Sequence, residues 1–376
     1  RRGSPLMVAS PTRRALIGGG TALGLVGSGS AAVAEVPAHA RYVIEQEALA
    51  FLRNTSAPGV SVAIARDGRL EYAGAFGISD LTGQRMTTDH QFRIASLSKP
   101  ITATAIMRLV DRGQLSVGQR LFGPSGLLEG RYGPTYPALH GITVAHLMSH
   151  TGGGWINDGN DPTMIHFGVS QDEMIARTLA YAPLIAAPGS RQMYSNFGYC
   201  LLGRVIEQVT GESYETWVRR EVLRPCGAEA MRIGSGQRGN REVAYIAASG
   251  GDPYGVDMPM LDANGGWIAS PTELVRFLVK VDGYQSTADI LRVDSSRFMA
   301  TRPFPVADFG HGWTVNNRDN WWHTGILPGT SAFMCRTRSG FCFAALANTG
   351  GPGSDLPLLL DQMMFRMAGY VPGWNP

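Results

Sequence analysis

The chain has 376 residues, 44% hydrophobic and 17% charged, a balance that supports a large globular core and excludes a compositionally disordered protein. Its formal net charge of +3 rests on Arg1, Arg2, Arg13 and Arg14; beyond residue 34, 29 basic residues face 30 acidic ones. Nucleic-acid binding therefore loses its main electrostatic support.

Residues 1–6 read as a cloning remnant ahead of Met7. Residues 7–40 read as an export signal of the twin-arginine type: Arg13-Arg14, a mild glycine-rich apolar run, and Ala-x-Ala endings at Ala34 and Ala40. The run is too weakly apolar for a membrane span, so the expected protein is exported, periplasmic or secreted, with no stable span after signal removal. Helical spacing over 41–53 precedes β-like stretches at 58–65 and 70–77, joined by the turn signal Arg66-Asp67-Gly68. The next helix, within 92–113, carries Pro100 in its first turn and stops at Gly113; its apolar surface is too wide for a helix packed on one side only.

Helical segments follow at 143–149, 170–180, 196–210, 214–222 and 271–281. Strand patterns return at 310–316, 330–336 and 341–347, and an amphipathic helix at 356–367 closes the chain. Strands at both ends and helices between them predict an α/β (α+β) fold. An antiparallel sheet domain from 41–90 and 300–376 would be flanked by the terminal helices, and 91–299 would form a mainly helical inserted domain. A catalytic cleft is expected where the two meet. Cys200, Cys226, Cys335 and Cys342 form no metal-ligand pattern, so no metal or other cofactor is expected. Cys335 and Cys342 bracket a short turn, which leaves open either a disulfide or two buried thiols.

Chemistry enters at Ser96-Leu97-Ser98-Lys99. Of 33 basic residues only Lys99 and Lys280 are lysine, and only lysine can lose its proton when desolvated. Residues three apart on a helix are neighbours, so a hydroxyl and an amine would meet at the helix mouth, a pairing suited to acyl transfer. Tyr194-Ser195-Asn196 supplies a phenol able to relay protons and an amide able to hydrogen-bond a substrate carbonyl, although Asn196 could equally cap a helix. His323-Thr324-Gly325 reads as a strand beside a ligand, or as a strand ending in a turn; the next N–H, on Ile326, could face an oxyanion. His150 reads as a loop-shaping residue, and Trp155, Trp313, Trp321 and Trp322 as core or as the wall of an acyl pocket. No serine has the Gly-x-Ser-x-Gly setting, HExxH is absent, and no P-loop is present. Gly234–Gly239 matches GxGxxG without a strand–helix frame and reads as a loop.

The ordered set SxxK, YxN and HTG resembles the signature of the serine penicillin-recognising enzymes: D,D-peptidases, class C β-lactamases and β-lactamase-fold carboxylesterases. The segments Leu147–Gly153 and Ala344–Gly351 add to the resemblance, which spans about 41–370. It implies Ser96 as nucleophile, Lys99 as general base or relay and Tyr194 as second relay. Substrate would be held by Asn196, His323, Thr324 and Gly325, with the N–H groups of Ser96 and Ile326 as the oxyanion hole. A lysine with its pKa near 7.5 would suit this role, a drop that takes roughly 4 kcal/mol. Histidine replaces the lysine of the KTG form, so a fixed charge facing a substrate carboxylate is expected to become titratable. The expected function is a serine hydrolase working through an acyl-serine, with a small-molecule ester first, ahead of a D-Ala-D-Ala-type peptide (D,D-carboxypeptidase) or a β-lactam. A non-catalytic penicillin- or muropeptide-binding protein is the alternative of another class.

Overall fold

The computed structural model describes residues 36–376 apart from 166–167, 249–250 and 305–306. The expected remnant and most of the export signal lie outside these residues. Ala40, one of the two expected processing points, is buried within the first helix.

That helix, α1 (Ala38–Thr55), leads into the hairpin β1 (Gly59–Arg66) and β2 (Arg69–Gly77). The other strands of the main sheet come from the far end: β3 (Thr314–Val315), β4 (Trp321–Leu327), β5 (Thr330–Arg336) and β6 (Phe341–Ala347). They form one antiparallel six-stranded sheet in the order β2-β1-β6-β5-β4-β3, with Val60 opposite Ala347 and Gly325 opposite Ala332. The two chain ends are thus stitched together by main-chain hydrogen bonds between β1 and β6. The strand expected over 310–316 shrinks to Thr314–Val315, because Gly310 and His311 bond to Trp313 and Met299 instead of a neighbouring strand.

β5 and β6 are buried along their whole length, as strands covered on both faces must be. Val60, Val62, Ile64, Phe333 and Phe343 face α1 and the closing helix α6 (Leu356–Gly369), packing on Ile44, Phe51, Leu360 and Met364. The opposite face carries small side chains, Ala63, Ala65, Ala332 and Ala344, on which the helix Pro271–Leu278 lies. Because strand side chains alternate, Cys335 and Cys342 fall on opposite faces of the sheet. Both are free thiols, which settles the open alternative against a disulfide.

The segment between the two groups of strands is mainly helical. Four of its helices build the site: α2 (Ser98–Asp111), α3 (Pro162–Ile165), α4 (Asn196–Thr210) and α5 (Met258–Gly265). The helix expected over 214–222 is regular only for Tyr214–Val218, then widens into a π-type turn over Arg219–Leu223. Among the described residues, no helix is long and apolar enough to cross a membrane.

Leu360, fully buried where α6 meets the sheet, tests this layering. Leu360→Ala is expected to cost about 2–5 kcal/mol in urea unfolding; a loss near zero would show that α6 does not seal that face.

Candidate active site

Ser96 does not sit in α2 itself but in a short 3₁₀ turn, Ala95–Leu97, that runs into it. The strand pair Phe92–Arg93 with Trp267–Ala269 carries the chain to that turn, and Thr330 Oγ1 donates to the Arg93 carbonyl at 2.8 Å. Ala95 then takes a left-handed φ of 49°, strained for a residue with a Cβ. Gly325 of β4 crosses directly over the turn: a Cβ there would lie 2.3 Å from the Ile94 carbonyl oxygen. The glycine lets backbone approach backbone, where the sequence pointed to the approach of a ligand.

Lys99, one helical turn along, is fully buried, and its Nζ lies 3.0 Å from Ser96 Oγ. The same nitrogen donates to Asn196 Oδ1 at 2.6 Å and to the Asn264 carbonyl of α5 at 2.8 Å. Burial lowers the lysine pKa to about 7, against an opposing pull from Asp161. A neutral amine has two N–H bonds and one lone pair. With two acceptors taking the hydrogens, the lone pair is left for the Ser96 hydroxyl.

Tyr194 closes the other side. Its ring lies under Lys99 Nζ, 4.8 Å from centroid to nitrogen, stacks on His150 at 4.3 Å, and its hydroxyl hydrogen-bonds with Ser96. Burial drives the phenol pKa well up. His150 adopts a left-handed φ of 58° and accepts a hydrogen bond from Ser195 N through Nδ1, so it shapes the loop, as expected, and also carries the Tyr194 ring.

Three expectations change. Asn196 is not the cap of α4: Ser195 is, accepting from Gly198 N at 3.0 Å. The Asn196 side chain lines the cleft beside Ser96, with Nδ2 donating to Asp161 Oδ2 at 2.7 Å and Asn157 Oδ1 at 3.1 Å. His323 is not titratable near neutrality. It is buried, its Nδ1 is 2.7 Å from the Thr324 carbonyl, and burial, reinforced by Lys99, pushes its pKa down to about 3. Strand alternation turns Thr324 to the other face, into a depression shared with Trp322, Phe333 and Asp361.

The cleft above Ser96 has a volume of about 640 Å³. Ser96, Asn157, Asn196 and Asn264 form its polar floor, and Met164, Ile165, Leu261, Ile326, Leu327 and Pro328 its walls. The tryptophans take no part: Trp313 and Trp321 are core, Trp321 stacks on Arg336, and Trp155 packs on Phe197. Asp161, Asn157 and Asn264 were missed in the sequence. Asp161-Pro162-Thr163 does carry a helix-start signal, but nothing in it points towards Asn196. Asn264 Nδ2 is buried without a partner among the described residues.

The family model described as Beta-lactamase matches residues 44–364, and the chain belongs to this family of serine hydrolases. It is 28% identical over 313 residues to penicillin-binding protein 4* of Bacillus subtilis, covering 73% of this chain and 64% of that one. Esterase EstB of Burkholderia gladioli is 31% identical over 232 residues, 57% of each chain. The match to each thus spans less than two thirds of the relative's length. The fold is also that of D-amino acid amidase from Ochrobactrum anthropi SV3, with a TM-score of 0.71, 23% identity, and coverage of 88% of this chain and 97% of that one.

Burial of Lys99 leaves a mark on stability. The unfolded amine titrates near ~10.4 and the folded one near 7, so between those values the unfolded chain binds more protons and stability rises with pH. Relative to Lys99→Met, the wild type should gain on the order of 1 kcal/mol per pH unit over that window, read from urea midpoints at pH 7 to 10. Parallel curves for the two proteins would mean the amine is not depressed.

Proposed function

We propose that this chain is a carboxylesterase acting through an acyl-serine at Ser96. In this reading, Lys99 as free amine takes the Ser96 proton while Oγ bonds to the substrate carbonyl carbon. The carbonyl oxygen takes up the negative charge facing the N–H groups of Ser96 and Ile326, both of which line the cleft. Collapse of the tetrahedral adduct breaks the ester C–O bond, and the departing alkoxide takes a proton through Tyr194, whose raised pKa keeps the phenol protonated. Water then gives a proton to the same pair as its oxygen bonds to the acyl carbon; the bond from that carbon to Ser96 Oγ breaks, Oγ takes the proton back, and the acid leaves.

One observation supports an ester over a substrate with a free carboxylate. Among the described residues lining the cleft there is no arginine or lysine, Asp158 is one of them, and His323 is held neutral behind Tyr194. A peptide C-terminus or a β-lactam carboxylate would have no fixed cation to meet there. The aliphatic walls suit a neutral acyl or alkyl chain. The names of the relatives keep a second reading in play, hydrolysis of a D-amino-acid amide or peptide, which needs no carboxylate contact if the substrate is amidated.

Rates on a p-nitrophenyl ester, a D-Ala-D-Ala peptide and a cephalosporin, with intact-mass detection of the adduct, test this. The ester is expected to turn over fastest, through a transient acyl adduct that Ser96→Ala abolishes. Lys99→Arg should lose at least ~10²-fold, because a guanidinium cannot accept the proton. The acid limb of kcat/KM should follow Lys99, rising through about pH 7, with no second limb from His323. Preference for the peptide, or a lasting adduct without turnover, would overturn the esterase assignment.

A further inference from the structure

Asp161 lies outside every motif, yet it is fully buried one amide away from the catalytic amine. It precedes α3, and its Oδ1 accepts from Thr163 N at 2.9 Å and Thr163 Oγ1 at 2.8 Å. These two donors favour the charged carboxylate, opposing the burial that pushes its pKa up. Its other oxygen, Oδ2, receives Asn196 Nδ2. Asn196 in turn presents Oδ1 to Lys99 Nζ.

A carboxamide has two unlike ends of nearly the same shape. With Oδ1 towards Lys99 it accepts a hydrogen from the amine; flipped, it would set its own N–H bonds against those of the amine. We propose that Asp161 is a positioning residue: as a buried, acceptor-only carboxylate it pins the Asn196 amide with Oδ1 facing Lys99, and so keeps the lysine lone pair aimed at Ser96. The inference rests on the acyl-serine reading of this site.

Asp161 and Lys99 are not alone in the pocket. Lys99 is faced by Ser96 before its own helix, Tyr194 and Asn196 beside it, Tyr199 of α4, His323 of β4, His150 of the loop and the Asn264 carbonyl. Asp161 also acts on Tyr194 and Cys200. The histidines are neutral, with their pKa values pushed down, and the phenols and thiol neutral, with theirs pushed up. Asp161 is therefore the carboxylate that sets the field at the amine, and its charge holds the lysine pKa up against burial.

Asp161→Asn keeps shape and an oxygen for Thr163 but turns a second NH₂ towards Asn196 Nδ2, which favours the flipped amide. The chain's two lysines make the consequence readable without turnover: [ε-¹³C]lysine labelling gives one signal for Lys99 and one for Lys280. In Asp161→Asn the Lys99 midpoint should fall by about 1 pH unit or more, with Lys280 unmoved. On the ester, kcat should drop about 10²-fold with KM little changed, and the acid limb should move to lower pH by the same amount as the NMR midpoint. Should Asp161→Asn not fold, Thr163→Val, which removes one of the bonds holding the carboxylate charged, must lower the Lys99 midpoint in the same direction. A Lys99 midpoint unmoved in the variant that folds overturns the positioning role. Failure of the wild type to form any acyl adduct would instead sink the acyl-serine reading, while the NMR titration still decides what Asp161 does to the amine.

Discussion

A single buried amine sets the terms for the rest of the site. Lys99 is enclosed on every side, and a charged ammonium there would forfeit its hydration; burial therefore presses it towards the neutral form. Neutrality alone makes a base, not a directed one. Direction comes from Asn196 Oδ1 and the Asn264 carbonyl, which occupy the two N–H bonds and leave the lone pair to Ser96. Each surrounding group is arranged in consequence: Tyr194 and Tyr199 cover the amine with ring faces, and His323 and His150 stay uncharged beside it.

The scaffold holds this arrangement by close backbone packing. β4 runs over the turn that carries Ser96, and the missing side chain of Gly325 permits that contact. Thr330 at the start of β5 ties the same approach strand through the Arg93 carbonyl, so the sheet from the chain's far end clamps the turn from its near end. Ala95 is held left-handed between them. Such strain persists only where the surroundings over-determine it.

The relatives named as penicillin-binding protein, esterase and amidase share a family or a fold with this chain, so the family leaves the choice of substrate to the lining of the cleft. Here the described lining combines aliphatic walls with neutral polar groups and carries one charged residue, Asp158, and the histidine of the HTG triplet adds no cation. The lack of an arginine or lysine among the described residues lining the cleft is the feature on which the ester reading stands.

Much of this was legible in the chain itself. The three-residue spacing of Ser96 and Lys99 already implied that their side chains meet, and the resemblance carried by the ordered SxxK, YxN and HTG motifs marked Tyr194. Alternating and continuous apolar runs placed the sheet at the two ends and the helices between them. What sequence could not carry was environment. The protonation of His323, the direction of the Asn196 amide, the side of β4 on which Thr324 falls and the separation of Cys335 from Cys342 depend on which neighbours the fold supplies. Asp161 shows the limit most plainly. Its residue type and local turn are written in Asp161-Pro162-Thr163, yet its partner Asn196 lies 35 positions away, and only the packing of α3 against α4 joins them. Local chemistry is encoded by neighbours in the chain, whereas pKa and hydrogen-bond direction are set by neighbours in space.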